Sequence, residues 1–460
     1  MNIIVAFTSK TLGIGNKNSI PWNIKEDLKR FYEITKDSVI VMGYNTWVSL
    51  PEDNRPLKDR MNIVVTRNPI KNTADNLVFL TINELDSFLM SQKKPIFIIG
   101  GESLYKRYLG IAEKLYVTII EKEYECDRHF PSENFSNYEI VNYSESMYSE
   151  EEKCKYRFYI YSRTAKKNGE FTYLNHMQNI LDNGDVREDR TGTGTISVFG
   201  GQLRFDISKS IPMLTTKFVP FQLTLKELLF FLRGQTDTKI LEKEGVMIWS
   251  GNTSREFLDK RGLQHYEVGD MGPMYGFAIN FASANYEGCD KNYEGQGINQ
   301  LNEVVKSLKE DPWSRRHLMT TYYVPYLNQS VLYPCHGIVI QYQYIEKNGN
   351  KYLSCHVYIR SSDGFLGLPI NILSYAILTY IIAKKCGYLP YELIISFGDA
   401  HIYSNLINQT KQQLERSPLP FPVLEISDDI INKEFKDIQL SDFSVIGYIS
   451  HPKISGQMAI

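Results

Sequence analysis

The stretch Leu332–Ile340, LYPCHGIVI, sets Cys335 between a proline and a histidine at the head of an apolar run. Such a cysteine can be a core residue, a metal ligand or a nucleophile. A second pair, Cys355 and His356 in LSCHVYIR, invites a zinc reading. Adjacent residues on a strand point to opposite faces, so neither pair easily gives both ligands to one ion. No C-x-x-C spacing accompanies them. No metal is therefore expected, and Cys355 reads as a buried structural cysteine. Cys335 differs in its company. A nucleophilic cysteine needs its thiolate stabilised, and nearby arginines do that. This half of the chain has Arg190 ahead of a Thr-Gly loop in DRTGTGT, Arg315 and Arg316 in WSRRHLM, and Arg360 with Ser361 in YIRSSDG. Alone, an Arg-Arg pair is more often a solvated patch.

The first half offers a different set. Asp27 follows the loop GIGNKNSIPW and falls in the first turns of a helix, beside Leu28 and Phe31. A carboxylate on the apolar side of a helix is costly unless it meets a donor. The plainer alternative is a solvated acid near the positive helix N-terminus. In IFIIGGES a buried strand runs into Gly100 and Gly101, with a helix expected from near Ser103. Glycines at such a turn let a phosphate approach backbone N–H groups, though a Gly-Gly is often only a tight turn. Arg55, Arg60 and Arg67 surround a strand in NRPLKDRMNIVVTRN. Arginines fork carboxylates and phosphates.

The elements that must position these residues are legible in outline. The 460 residues suit two or three domains, and 43% hydrophobic with 23% charged residues is ordinary for a soluble globular chain. A net charge of -2 gives no general attraction to nucleic acid or membranes, so bound anions must be held by local cations. The start, MNIIVAFTSK, lacks a basic lead and reads as a first strand rather than a secretory signal. No apolar run of ~18 residues suggests a membrane span. Six scattered cysteines fit a reducing, cytoplasmic setting. No tandem repeat is present. The polar stretch SRTAKKNGE, residues 162–170, marks the best boundary and is too short for a floppy tether. Before it, short β-branched runs alternate with helical patterns, which predicts an α/β sheet with crossover helices. After it, long helical stretches mix with strands, which reads as α+β.

Taken in order, IVAFTS, GIGNKNSIPW, VIVMGYNTWVSLP, NRPLKDRMNIVVTRN, IIGGESLY and LYVTII resemble dihydrofolate reductase over residues 1–163. The resemblance implies a mixed, mostly parallel sheet with helices. It implies that Asp27 holds the pterin and assists its protonation, with Thr118 hydrogen-bonded nearby. Ala6, Phe31 and Ile99 would line the pterin and nicotinamide slot, and Arg60 would pair with the folate tail. Gly13, Ile14 and Gly15 would open the loop over the nicotinamide. Gly43, Thr46, Thr66, Arg67, Gly100, Gly101, Ser103 and Tyr105 would complete the NADPH site, with a cis Gly-Gly peptide. Tyr44 stands where the family often has Lys or Arg beside the 2'-phosphate, which narrows the expected margin of NADPH over NADH.

Beyond a short linker at 164–169, residues 170–460 resemble thymidylate synthase. The motifs are DRTGTGTISVFGGQLRFD, IPMLTTK, ELLFFLRGQTD, MIWSGNTSREFL, GDMGPMYGF, DPWSRRHLM, YPCHG, RSSDGFLGLPINILSYA and FGDAHIYSNL. The resemblance implies that Cys335 attacks C6 of dUMP and opens C5 to the one-carbon unit of 5,10-methylenetetrahydrofolate. Arg190, Arg360 and Ser361 would hold the phosphate, joined by Arg315 and Arg316 from a second subunit. Asn371 would read the uracil edge, and His401 and Tyr403 the ribose. Glu227 would relay protons, with Tyr275 and His336 in its network on the dUMP side. Asp363 would touch both substrates. Trp249, Leu366 and Gly367 would face the folate, and the Ile460 carboxylate would close over it. Four departures are Phe218 after LTTK, Ser250 after Trp249, Ile359 where Gln is usual and Ile370 where Phe is usual. Strand alternation aims residue 359 away from the Arg360 face, so altered subunit-interface packing is expected there.

The halves are complementary, since dihydrofolate released by the second is the substrate of the first. The whole chain resembles the bifunctional reductase–synthases of protists and plants. The shared arginines imply a homodimer through the synthase half. Expected partners are dUMP and folates, with no membrane and no nucleic-acid role as the main job.

Overall fold

The computed structural model describes residues 1–68, 70, 74–189 and 191–457. Arg190 and Ile460, both candidate site residues, lie outside them. The chain forms two compact units. One is Met1–Asn168 with the short segments Ser417–Pro420 and Ile449–Pro452. The other is Gly169–Arg416 with Phe421–Tyr448 and the segment from Lys453. No motif in the sequence assigns the two short late segments to the first unit.

In the first unit, the described residues form a mixed sheet of nine strands. Its order runs Met147–Ser149, Cys154–Arg163, Lys114–Ile120, Asn2–Thr8, Ile96–Gly100, Val39–Gly43, Met61–Val65, Leu77–Leu80. Tyr138–Tyr143 also pairs with Cys154–Arg163. Pairing is parallel from Lys114–Ile120 through Leu77–Leu80 and antiparallel on the other side. Parallel neighbours need crossovers, which the helices Lys25–Thr35, Ile82–Met90 and Glu102–Tyr108 help supply. Burial on both faces matches the strand Val39–Met42, which is apolar at every position. The register sets Thr118 between Ala6 on one neighbour and Phe158 on the other.

The second unit has a six-stranded sheet. Its order is Asp185–Arg187, Thr195–Asp206, Leu389–Tyr403, Asn350–Asp363, Val339–Lys347, Leu318–Met319. The one parallel pair, Asn350–Asp363 with Leu389–Tyr403, is joined by the crossover helix Gly367–Cys386. Before that helix, the Asp363 carboxylate accepts the N–H groups of Phe365 and Leu366 at 2.9 and 3.1 Å. Gly387, at φ 72°, ends it in the left-handed conformation. By length and composition this helix could cross a membrane, which the apolar runs of the sequence did not suggest. Its apolar surface is met by protein instead. Ile372, Leu373, Ile377, Ile381 and Ile382 are fully buried in the core formed with Cys355, Val357, Leu393 and Ile395. Each such side chain contributes roughly 1.5–3 kcal/mol.

Ile359 belongs to the same core, at 0% exposure, while Arg360 is exposed. Residue 359 does point away from the Arg360 face. The expectation of altered subunit-interface packing is corrected, however: the branched side chain fills the interior of its own unit. Cys355 is likewise fully buried, and burial pushes its thiol up to about 12.

Candidate active sites

In the first unit, Asp27 lies in the first turn of Lys25–Thr35, facing the sheet. The Thr118 hydroxyl donates to its Oδ1 at 2.5 Å. Burial raises the carboxyl above its ordinary value, while Thr118 and the charge of Arg30 oppose that rise. The carboxylate thus meets a donor on the sheet side of its helix. Phe31, on the same helix, and Ile99 pack against one hydrophobic cluster. Ala6 pairs with Thr118 across the strands. Arg60 is buried, its guanidinium 5.6 Å from the Phe31 ring centre and 5.2 Å from that of Tyr32. Its Nη1 donates to Thr35 Oγ1 at 3.0 Å and its Nε to the Lys58 carbonyl at 2.8 Å. These bonds hold the cation beside the pterin-slot candidates.

Two turns converge next to this group. The helices Tyr44–Ser49 and Glu102–Tyr108 begin at Gly43 and Gly101, neither with a side-chain cap on its first N–H groups. The Gly100–Gly101 peptide is cis. A Cβ on Gly101 would stand 3.3 Å from Thr46 Oγ1, and one on Gly100 3.3 Å from the Tyr105 hydroxyl. Tyr105 is buried and donates to the Ile4 carbonyl at 3.1 Å, beneath the turn. This narrow cradle of backbone N–H groups suits a dinucleotide phosphate. Ser103 is exposed at the head of its helix, and Thr66 and Arg67 follow the strand Met61–Val65 with Arg67 exposed. Gly13–Gly15 forms a short strand with Ile14 at its centre, paired to Arg128–His129. A Cβ at Gly13 would meet Cys126 Sγ at 2.6 Å, so that position requires glycine.

In the second unit Cys335 is held from three sides. Its N–H donates to the Tyr275 hydroxyl at 3.0 Å. Its carbonyl accepts the N–H groups of Arg360 at 2.8 Å and Ser361 at 3.3 Å. Arg360 Nη2 reaches 3.7 Å from Sγ and also donates to the Tyr333 carbonyl at 3.3 Å. A cation beside a partly accessible thiol is the setting of a nucleophile. Tyr275 stacks on His336 with ring centres 4.5 Å apart. His336 Nδ1 lies 2.7 Å from the Tyr375 hydroxyl, and burial lowers the imidazole to about 4, so it is neutral.

Trp249 links this group to Glu227. Its ring centre is 5.9 Å from that of Tyr275, and its Nε1–H donates to Glu227 Oε1 at 2.8 Å. Burial raises Glu227 to about 7, against the pull of the tryptophan bond. A carboxyl poised near neutrality is matched to proton relay. Asp363, Leu366, Gly367 and Asn371 follow each other through the start of the crossover helix. Asp363 is raised by burial and feels the charges of His401 and Lys217. His401 Nδ1 lies 2.6 Å from Asp399 Oδ1, and its ring stands edge-on to Tyr403 at 5.1 Å. Arg315 and Arg316 are outside this cluster, exposed just before the edge strand Leu318–Met319.

Two residues at these sites escaped sequence reasoning. Arg30 follows Asp27 by three positions, a spacing that brings side chains together on a helix. Lys217 ends the apolar run IPMLTTK. It is buried, its Nζ donates to the Phe365 carbonyl and lies 3.6 Å from that ring's centre, and burial lowers it to about 7. Of the departures, Phe218 is exposed near the Tyr448 ring, and the Ser250 hydroxyl donates to Glu242 at 2.6 Å. Among the described residues, no three His, Cys, Asp or Glu side chains gather as a metal site.

Comparison with known proteins agrees with both halves. The dihydrofolate reductase family model matches residues 1–163, and the thymidylate synthase model matches residues 171–460. The bifunctional dihydrofolate reductase-thymidylate synthase of Paramecium tetraurelia is 38% identical, over 97% of this chain and 96% of that protein. The Leishmania major protein of the same name is 36% identical, over 100% of this chain and 95% of its own length. The Zea mays protein is 34% identical, over 100% of this chain and 96% of its own. With two family matches in the same order and full-length relatives of one kind, the chain belongs to the bifunctional dihydrofolate reductase–thymidylate synthase family, the enzymes that carry both activities of thymidylate biosynthesis on one polypeptide.

Proposed function

We propose that Cys335 is the nucleophile of the synthase half and Asp27 the proton-handling carboxyl of the reductase half. The enzyme methylates dUMP to dTMP with 5,10-methylenetetrahydrofolate, then reduces the dihydrofolate so formed. The observation that carries the synthase reading is the placement of Arg360 Nη2 at 3.7 Å from Cys335 Sγ. Sγ adds to C6 of the uracil ring, which makes C5 nucleophilic toward the one-carbon unit. The folate donates both carbon and reducing equivalents, so it leaves as dihydrofolate. Arg360 and Ser361 take the phosphate together with Arg190. Glu227, poised near neutrality, relays protons, and the neutral His336 holds the network in place. Asn371 selects uracil by its donor and acceptor pattern.

In the reductase half, Gly43, Thr46, Gly100, Gly101, Ser103 and Tyr105 fit NADPH, because both helices start without a side-chain cap and a Cβ on Gly100 or Gly101 would crowd the turn. NADPH supplies a hydride when bound. Asp27 and Thr118 orient the pterin and guide a proton toward it, Phe31 and Ile99 exclude water, and Arg60 takes the folate tail. Tyr44 is 40% exposed, and Arg67 remains available to favour a 2'-phosphate.

Exposed apolar residues on the synthase half support a homodimer through its sheet. Phe199 is 86% exposed, and Leu318, Val339 and Trp313 also face outward. A second subunit there would let Arg315 and Arg316 reach its phosphate. A cytoplasmic setting fits the scattered cysteines. The deciding experiment is NADPH oxidation by the purified chain with methylenetetrahydrofolate, before and after dUMP. Oxidation that starts only with dUMP supports the reading. Oxidation that starts only with added dihydrofolate overturns the synthase half, and silence in both overturns the reductase half.

A further inference from the structure

Arg30 sits one turn beyond Asp27, and no motif gives it a role. Its guanidinium lies over Phe158, 4.4 Å from the ring centre. Nη2 donates to the Tyr159 carbonyl at 3.2 Å, and Nη1 donates to Thr118 Oγ1 at 3.3 Å. The Thr118 hydroxyl donates in turn to Asp27 Oδ1 at 2.5 Å. A threonine hydroxyl has one proton and two lone pairs, whereas a guanidinium is always charged and only donates. Thr118 must therefore accept from Arg30, and its single proton is left for the carboxylate. Without Arg30, the same hydroxyl is free to accept a proton from Asp27 or to turn away.

We propose that Arg30 is a positioning residue of the reductase site, which aims the Thr118 hydroxyl at Asp27 and sets the pH range of hydride transfer. The inference rests on the reductase reading of Asp27. Burial favours the protonated carboxyl, and the Thr118 bond and the Arg30 charge favour the ionised one. Among the described residues, the other titratable groups acting on or beside the pair are phenols and one acid. Glu26 is on the same helix; Tyr116 on Lys114–Ile120 faces Arg30, and Tyr105 on Glu102–Tyr108 faces Asp27. Tyr156 on Cys154–Arg163 faces Glu26 and Asp27. Burial raises Tyr105 and Tyr156, so both stay neutral through the working range. Among the described residues, Arg30 is the cation that acts on Asp27. Phe158 and the Tyr159 carbonyl fix its position on the strand that already pairs with Thr118.

The sign follows. If reduction needs the proton on Asp27, loss of the Arg30 charge lets Asp27 keep that proton to higher pH. The test is single-turnover NADPH oxidation with dihydrofolate, as a function of pH, in full-length wild type, R30M, R30Q and R30K. NADPH binding is measured in each to show that the site is formed. R30M and R30Q are expected to move the alkaline inflection up by about one unit, the scale of one partly screened charge. R30K, which keeps the charge, should stay within a few tenths of a unit of wild type. If R30M fails to bind NADPH, R30Q decides, since it retains a donor without the charge. An unmoved inflection in the neutral variants, or an equal shift in R30K, overturns the proposal. D27N separates the two claims. Full activity in D27N overturns the reading of Asp27 itself, whereas loss in D27N with an unmoved R30Q overturns only the role of Arg30.

Discussion

Cys335 and Arg360 are bound to each other twice. The Arg360 N–H donates to the Cys335 carbonyl at 2.8 Å, and its Nη2 stands 3.7 Å from Sγ. The backbone bond brings the two residues together, and the guanidinium's own bonds to the Pro334 and Tyr333 carbonyls, both 3.3 Å, place the cation beside the sulfur. The position of the charge is then a property of the fold and needs no substrate to create it.

Cys335→Ser is expected to abolish thymidylate formation and to leave dihydrofolate reduction at the wild-type rate. Arg360→Met is expected to slow iodoacetamide alkylation of Cys335 at neutral pH by roughly tenfold, because the cation that favours thiolate is gone. Peptide-resolved alkylation rates check this. Equal rates in the two proteins mean that Arg360 serves the phosphate alone.

Glu227 gives a pH prediction. Its carboxyl is raised from 4.5 to about 7 by burial. A raised carboxyl contributes stability that is fully present below its unfolded value and is lost as pH rises through the folded value. The window is therefore pH 4.5 to about 7. The Glu227→Gln variant stays neutral at this position throughout. Relative to that variant, the wild type should lose on the order of 3 kcal/mol across the window. Denaturant unfolding of the synthase unit at either end measures it, and parallel curves for the two proteins contradict it.

Trp249→Phe removes the donor to Glu227 Oε1. That bond lowers the carboxyl, so its loss moves Glu227 further up. The pH profile of thymidylate synthesis should shift to higher pH, whereas a folate contact alone would change KM and leave the profile in place.

Much of this was legible in the sequence because the chemistry travels in short motifs. Arg360 and Ser361 are adjacent, so their shared grip on Cys335 follows once PCH and RSSD lie on neighbouring elements. Gly100–Gly101 and Asp27 each admit a plainer reading alone and become legible only within the ordered run of motifs around them. Arg30 was hidden because its partner, Thr118, is brought to it only by strand register. Lys217 was hidden because a lysine after Thr-Thr reads as surface, and only the core around Phe365 buries it. The packing of Ile359 was half legible. Alternation gives the direction of a side chain, but the helix waiting on that side comes from a later segment, Gly367–Cys386. The same helix reads as apolar enough for a membrane until its contacts are known.

Tyr275 carries a positive φ of 39° while its hydroxyl accepts the Cys335 N–H. A non-glycine residue in that region costs of order 1–3 kcal/mol and persists where its surroundings hold it. Tyr275→Phe keeps the ring that stacks on His336 and loses the acceptor. It should lower kcat for thymidylate synthesis by about tenfold or more, on the scale of an unsatisfied buried N–H, with reductase activity unchanged.

The subunit prediction is a complementation experiment. Cys335→Ser and Arg315→Ala each disable the synthase alone if Arg315 serves the phosphate of a second subunit. In a heterodimer of the two variants, one site has both defects and the other has neither, because nucleophile and borrowed arginine come from different chains. Random mixing gives about half heterodimers, each with one intact site, so activity should recover to about a quarter of wild type. Subunit exchange is confirmed with differently tagged chains. Recovery at that level supports a site built from two subunits. Exchange without recovery means that Arg315 acts within its own chain, and the exposed residues around Leu318 and Val339 then need another partner to cover them.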